Sequence, residues 1–173
     1  MINSFFFCYI FVIYTYNKNM KKENIIKYGI PVLSVVLVAL LGSVFVDMGM
    51  DWFDGLNKPT EWVPNIVIPI MWSFIYLVSI FYLIHLVRKE KDNKRVIWLL
   101  IINGFLNVLW CLVFFTLNSL LGGLIVIIIN LIASMLLLKE ICKTSELFSY
   151  ILTVYPLWLS IATCLNLASW ILN

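Results

Sequence analysis

Residues 102–115 read INGFLNVLWCLVFF, and how this stretch is placed decides the fold. It has the apolar density of a membrane span, with no charged residue inside it. Yet Asn103, Asn107 and Trp110 recur at spacings of four and three, which sets all three on one face of an α-helix. Amides cost free energy in hydrocarbon unless they are hydrogen-bonded, so polar residues at this depth usually face the interior of a bundle. The question is what these amides face.

The whole chain agrees with a membrane reading. Of 173 residues, 63% are hydrophobic and 12% charged, and the mean hydropathy is +1.01, far from the composition of a soluble domain. Apolar runs at 28–46, 63–87, 96–117, 120–138 and 147–172 are each long enough to cross about 30 Å of hydrocarbon as a helix. Runs of this length without period-two alternation favour helices over a barrel. The expectation is an all-α membrane protein, a five-transmembrane-helix bundle over 28–173, preceded by a separate segment at 1–27. Asn118 and Ser119 leave only a tight turn between the third and fourth spans, which makes those helices antiparallel neighbours.

Charge placement gives an orientation. Lys18, Lys21, Lys22 and Lys27 precede the first span; Arg88, Lys89, Lys91, Lys94 and Arg95 join the second and third; Lys139 and Lys143 join the fourth and fifth. Lys58 alone falls on the other side, so the positive-inside rule predicts a cytoplasmic N-terminus and an external C-terminus. A plain lysine-flanked start at Met20 suits a bacterial inner membrane. The apolar part of residues 1–19 is too short to span and lacks a basic leader, and two readings stay open: an upstream start or an interfacial anchor. The net charge of +3 offers nucleic acid nothing.

Metal and redox chemistry find little to work with. Cys8, Cys111, Cys142 and Cys164 form no CxxC pair, and the single histidine, His85, stands beside Arg88 and Lys89 at the end of an apolar run, so neither a zinc nor a haem ligand set is built. No ionised residue lies centrally in a span, which argues against a proton pump or an ion channel.

Aromatic and amide stripes are what remain. The second span opens on KPTEWVPNIVIPIMWSFIY, where Pro59, Pro64 and Pro69 predict an irregular entry and Trp72 and Tyr76 share a face. The fifth reads VYPLWLSIATCLNLASWILN, with Tyr155, Trp158, Ala162, Leu165 and Ser169 at helical spacing and Asn166 beside them. Such stripes either glue helices together or line a cavity between them. The long connection at 47–61, with Asp47, Asp51, Asp54 and Glu61, is either a lid or a solvated connector anchored by Trp52 and Trp62.

Lys58-Pro59 with Pro64, the Trp72 and Tyr76 pair, Asn107 to Trp110 followed by Phe114-Phe115, and the series Tyr155, Trp158, Ala162-Thr163, Leu165-Asn166, Trp170 and Leu172-Asn173 together resemble the TspO/MBR family of tryptophan-rich sensory and translocator proteins. The resemblance runs from the first span onward. It implies a five-helix bundle, often dimeric, with a pocket beneath the first loop that takes porphyrin-type tetrapyrroles such as protoporphyrin IX or a haem-like ring, with no cofactor required. Carried over residue by residue, it implies a ligand site of Trp72, Tyr76, Asn103, Asn107, Trp110, Trp158, Ala162 and Leu165. The chain departs from the family pattern at Val63, where a proline is common, and at Val154-Tyr155-Pro156, where the proline is displaced. It also lacks the tyrosine and basic residue of the sterol-associated pattern at the end of the fifth span.

Three functions follow as expectations. The first is a tetrapyrrole-binding protein of the lipid bilayer acting in sensing or transport. The second is an enzyme that degrades porphyrin with light and oxygen, in which Trp72 and Trp158 would be the redox-active residues; the absence of a positioned acid, base or nucleophile weighs towards the binder. The third is a structural or regulatory subunit whose stripes are helix glue.

Overall fold

The computed structural model describes residues 22–59, 63–64, 66–89 and 93–173, with the backbone alone for 22–27. The segment 1–19 with Cys8, together with Lys21, Glu61, Trp62 and Lys91, lies outside the described residues. Among the described residues six α-helices follow one another: α1 Lys22–Asp54, α2 Val67–Lys89, α3 Lys94–Cys111, α4 Leu120–Thr144, α5 Glu146–Leu152 and α6 Val154–Leu172. A π-helical turn, Leu112–Thr116, ends α3, and no strand occurs among the described residues. Five segments of the described residues are long and apolar enough to span a membrane: Tyr28–Asp54, Val67–Lys89, Lys94–Thr116, Leu120–Thr144 and Glu146–Leu172. The protein is an all-α integral membrane protein, as its sequence predicts.

The boundaries differ where tertiary packing or proline chemistry overrides hydropathy. Residues 47–54 continue α1 instead of opening a loop, because nothing stronger than Gly49 interrupts the helix before Gly55. The added turns bring Trp52 and Phe53 onto Phe114 and Phe115, with ring centroids 5.1–6.0 Å apart. Half of the expected connector is therefore helix. Lys58 closes the helix end: its Nζ donates to the Phe53 carbonyl at 2.6 Å and lies 4.0 Å from the Phe53 ring centroid, a cation where the helix leaves unpaired carbonyls.

Proline explains the other two. Pro69 is the third residue of α2, where an amide N–H would have no helical partner in any case. Pro156 cannot donate to Leu152 and its ring crowds that carbonyl, so the fifth span breaks at Thr153 into α5 and α6.

The π-helical turn is set by Leu117 N–H donating to the Leu112 carbonyl at 2.9 Å, five residues back. The extra residue turns both Phe114 and Phe115 inward, where they are buried. Asn118 then takes a left-handed φ of 52°, which asparagine tolerates, and the Ser119 Oγ accepts from Gly122 N–H at 3.2 Å to cap α4. This is the tight turn expected at 118–119, and α3 packs on α4 more extensively than any other pair of elements.

α1 lies against α3 and shows the opposite face outward, with Ile30, Leu33, Leu37 and Leu40 exposed as residues facing lipid would be. It comes close to the π-helical turn at Gly49, where an added Cβ would overlap the Phe115 carbonyl. A nearby hydrogen bond from Thr116 Oγ1 to the Phe45 carbonyl, 3.0 Å, fixes the same contact. At the end of the bundle that carries the α2–α3 connection, Arg95 and Lys143 flank the buried Glu140, at 3.3 Å and 2.9 Å.

Gly49→Ala is expected to lower the thermal midpoint in detergent, at a cost of about 1–3 kcal/mol, because the obstructing atoms are backbone. Gly29→Ala, with nothing within 4 Å of the new methyl, is expected to leave the midpoint unchanged or raise it slightly.

Candidate functional site

The amides of α3 face protein. Asn103 and Asn107 are both buried and meet Asn130 of α4 and Tyr155 of α6. Asn130 Nδ2 donates to Asn107 Oδ1 at 3.0 Å, and Asn107 Nδ2 donates to the Tyr155 hydroxyl at 3.0 Å. That hydroxyl has two acceptors in reach, Asn103 Oδ1 at 3.3 Å and Asn130 Oδ1 at 3.4 Å. Asn103 Nδ2 turns back to the Leu99 carbonyl at 2.8 Å. Every side-chain amide in the group has a partner, so three helices are joined with no unpaired amide within the network.

Towards the other end of the bundle α2, α3 and the π-helical turn present aromatic rings. Tyr76 stacks on Trp72 at 5.9 Å and 28°, Trp72 meets Trp110 at 6.4 Å and 30°, and Trp110 stacks on Phe114 at 5.5 Å and 21°. Four rings from α2, α3 and the π-helical turn thus follow one another, each tilted 21–30° from the next. Phe115 closes its side edge-on, 5.7 Å from Trp110. Trp110 is fixed by its own N–H, which donates to Asn166 Oδ1 at 3.1 Å; Asn166 Nδ2 in turn donates to the Leu120 carbonyl at 3.1 Å.

Trp158 differs. It is 4% exposed and sits in a core cluster with Ile75, Leu124, Ile127, Tyr155 and Leu159, against which Trp72, Trp110, Ala162 and Val63 pack. Its Nε1 is buried and has no hydrogen-bond partner among the described residues. An indole N–H in that position costs free energy until an acceptor arrives. On the outer side of α6, Leu165 lines an open groove of about 400 Å³ with Val63, Ser160, Ile161 and Cys164. Val63 belongs to both the groove and the core cluster.

The structure therefore brings Trp72, Tyr76, Trp110, Trp158 and Ala162 together, puts Leu165 on the groove behind them, and sets Asn103 and Asn107 in the amide network beside Tyr155. Asn130 is missed by spacing because it is a lone amide in α4; its signal is the same one that marks Asn103, an uncharged polar residue inside an unbroken apolar run. His85 lies apart, its ring 5.0 Å from Phe148. Among the described residues no group of three or more His, Cys, Asp or Glu is placed to hold a metal.

The model of the TspO/MBR family matches residues 31–171. The chain is 32% identical over 152 residues to the tryptophan-rich protein TspO of Archaeoglobus fulgidus, covering 87% of this chain and 99% of that protein. It is 26% identical to protein CrtK of Rhodobacter capsulatus, over 70% of this chain and 78% of the relative. A membrane protein of Bacillus subtilis, YtaB, is 29% identical over 78% of this chain and 88% of its own length.

A double-mutant cycle tests the amide network. Asn107→Ala is expected to destabilise the bundle by about 1–3 kcal/mol, since it strands Asn130 and Tyr155. Tyr155→Phe should cost less, and denaturation of the four proteins should show the two substitutions to be non-additive by about 0.5–2 kcal/mol.

Proposed function

Since the chain belongs to the TspO/MBR family, we propose that it is a membrane-embedded binding protein for a porphyrin-type tetrapyrrole, acting in sensing or transport. The observation that carries this reading is the series of four consecutive rings, Tyr76, Trp72, Trp110 and Phe114, each tilted 21–30° from the next, lying beside a buried Trp158 whose N–H lacks a partner among the described residues. Aromatic faces in an apolar setting bind a flat, polarisable guest through dispersion and offset stacking. A donor without a partner adds orientation, because it discriminates between guests that bring an acceptor and those that do not.

The roles divide accordingly. Trp72, Tyr76, Trp110 and Trp158 provide the faces and the donor, while Ala162 keeps the α6 wall low enough for a guest to approach. Leu165 lines the groove, and Val63 touches both the groove and the core cluster that holds the rings. Asn103 and Asn107 act at one remove, by holding α3, α4 and α6 in register. With its basic clusters at the cytoplasmic side, the bundle turns the Lys58 end outward.

A second reading is favoured by one observation. The amide network is closed upon itself, as it would be in a structural or regulatory subunit that binds no small molecule. Ligand binding separates the two.

Titration of the detergent-solubilised protein with protoporphyrin IX in the dark is the test. Saturable quenching of tryptophan fluorescence is expected, matched by an equilibrium assay that detects the ligand itself. The Trp72→Phe, Trp158→Phe double variant, once shown to fold, should bind at least tenfold more weakly, a loss of about 1.4 kcal/mol or more. Equal binding by both proteins would remove these rings from the site. Absence of saturable binding would favour the subunit reading.

A further inference from the structure

Among the described residues Glu140 is the one charged residue that is buried, and the tetrapyrrole reading does not use it. It lies in α4, at the end of the bundle that carries the α2–α3 connection. Two cations share its carboxylate. Lys143 Nζ donates to Oε1 at 2.9 Å and to Oε2 at 3.0 Å, and Arg95 Nε of α3 stands 3.3 Å from Oε1. Both cationic side chains stay largely outside, 75% exposed for Arg95 and 58% for Lys143. One inward carboxylate thus fixes two surface cations, whose charge exceeds its own.

The surface that leads away from them is apolar. Steps of three and four from Arg95 reach Trp98 and Ile102 on α3, and steps of seven and four from Lys143 reach Leu136 and Ile132 on α4. All four of these residues are exposed. Because both cations meet one carboxylate, two lipid-facing stripes start from a single charged point and run along adjoining helices. Trp98 stands one turn from Arg95, where an indole suits the boundary between headgroups and chains. The start of α3 adds to the positive field: Lys94 and Arg95 occupy its first turn, no acidic residue stands there, and the Asn93 side chain makes no capping bond. An anion at this end offsets both the helix dipole and the cations placed against it.

We propose that Arg95, Lys143 and Trp98 form a seat for an anionic phospholipid of the adjoining leaflet, with its phosphate at the two cations and its chains along the stripes of α3 and α4. Surface lysine and arginine side chains are ordinarily loose, and ordering them opposes binding. Glu140 has already ordered these two, which makes it a positioning residue even though its own charge repels the lipid. A zwitterionic lipid carries a cation of its own to the same place and gains less. Free phosphate has no chains to lay on the stripes.

The test is a titration of the detergent-solubilised full chain with dioleoylphosphatidylglycerol, read by native mass spectrometry as lipid retained. Dioleoylphosphatidylcholine and inorganic phosphate are the other arms. Phosphatidylglycerol is expected to bind about tenfold more tightly than phosphatidylcholine, and excess inorganic phosphate should not displace it. Arg95→Gln and Lys143→Gln should each weaken phosphatidylglycerol binding by about three- to tenfold. Arg88→Gln removes the same charge at the same end of the bundle, but Arg88 lies against α1, 5.9 Å from the Tyr28 ring centroid, and its loss should leave the affinity unchanged. Glu140→Gln separates a built seat from diffuse attraction. It makes the protein more positive, so diffuse attraction would tighten binding, whereas loss of the positioned pair weakens it by about threefold.

Thermal midpoints measured without lipid show which variants are intact, and the exposed Arg95 and Lys143 variants carry the test if Glu140→Gln does not fold. Equal affinity for the two lipids, equal losses in Arg88→Gln and Arg95→Gln, or tighter binding by a folded Glu140→Gln variant would each overturn the seat. Displacement by inorganic phosphate would overturn the lipid as its occupant.

Discussion

A side-chain amide inside a membrane must find a protein partner, and much of this bundle is arranged by that requirement. Asn103, Asn107 and Asn130 find each other and Tyr155, which brings α3, α4 and α6 together around one point. Asn166 binds the Trp110 N–H and the Leu120 carbonyl, so the same three helices are pinned a second time, further along. Hydrophobic burial cannot supply this specificity, because lipid tails are as apolar as the helix faces they would replace. Hydrogen bonds and close packing fix the register, and the aromatic rings take their positions from it.

Along α6 this arrangement becomes a sequence of tasks on one helix. Tyr155 closes the amide network, Trp158 enters the core with a free donor, Ala162 leaves room beside the rings, Asn166 fixes Trp110, and Asn173 reaches the segment after α1. Most of the steps are three or four residues, which keeps them on one inward side of the helix. Proline displacement to Pro156 fits the same plan. It breaks the span at Thr153, and α6 starts as a separate helix just before Tyr155.

Much of the fold was legible because lipid imposes length and polarity on every span. Hydropathy located five helices, and the turn at Asn118-Ser119 announced an antiparallel pair. The ends were less legible: α1 runs on to Asp54 because Trp52 and Phe53 find Phe114 and Phe115, a contact between distant parts of the chain that local composition does not encode. The π-helical turn has no proline or glycine of its own to announce it. In the site, spacing grouped Asn103 with Asn107 and Trp72 with Tyr76, but not the partners across helices. Whether an amide faces a neighbour or a cavity depends on α4 and α6, and Asn130 carries no periodic signal at all.

The claim at the centre of this account is that the tryptophans differ in role by position: Trp72, Trp110 and Trp158 meet a flat guest, while Trp98 and Trp170, 64% and 43% exposed, face lipid. Indole N–H resonances of the ¹⁵N-tryptophan-labelled protein, assigned by single Trp→Phe variants, resolve this directly during a dark titration with protoporphyrin IX. The account predicts saturable shifts at Trp72, Trp110 and Trp158, largest at Trp158 as its N–H gains an acceptor, with Trp98 and Trp170 unmoved. Shifts confined to the lipid-facing pair, or spread evenly over all the indoles, would contradict it.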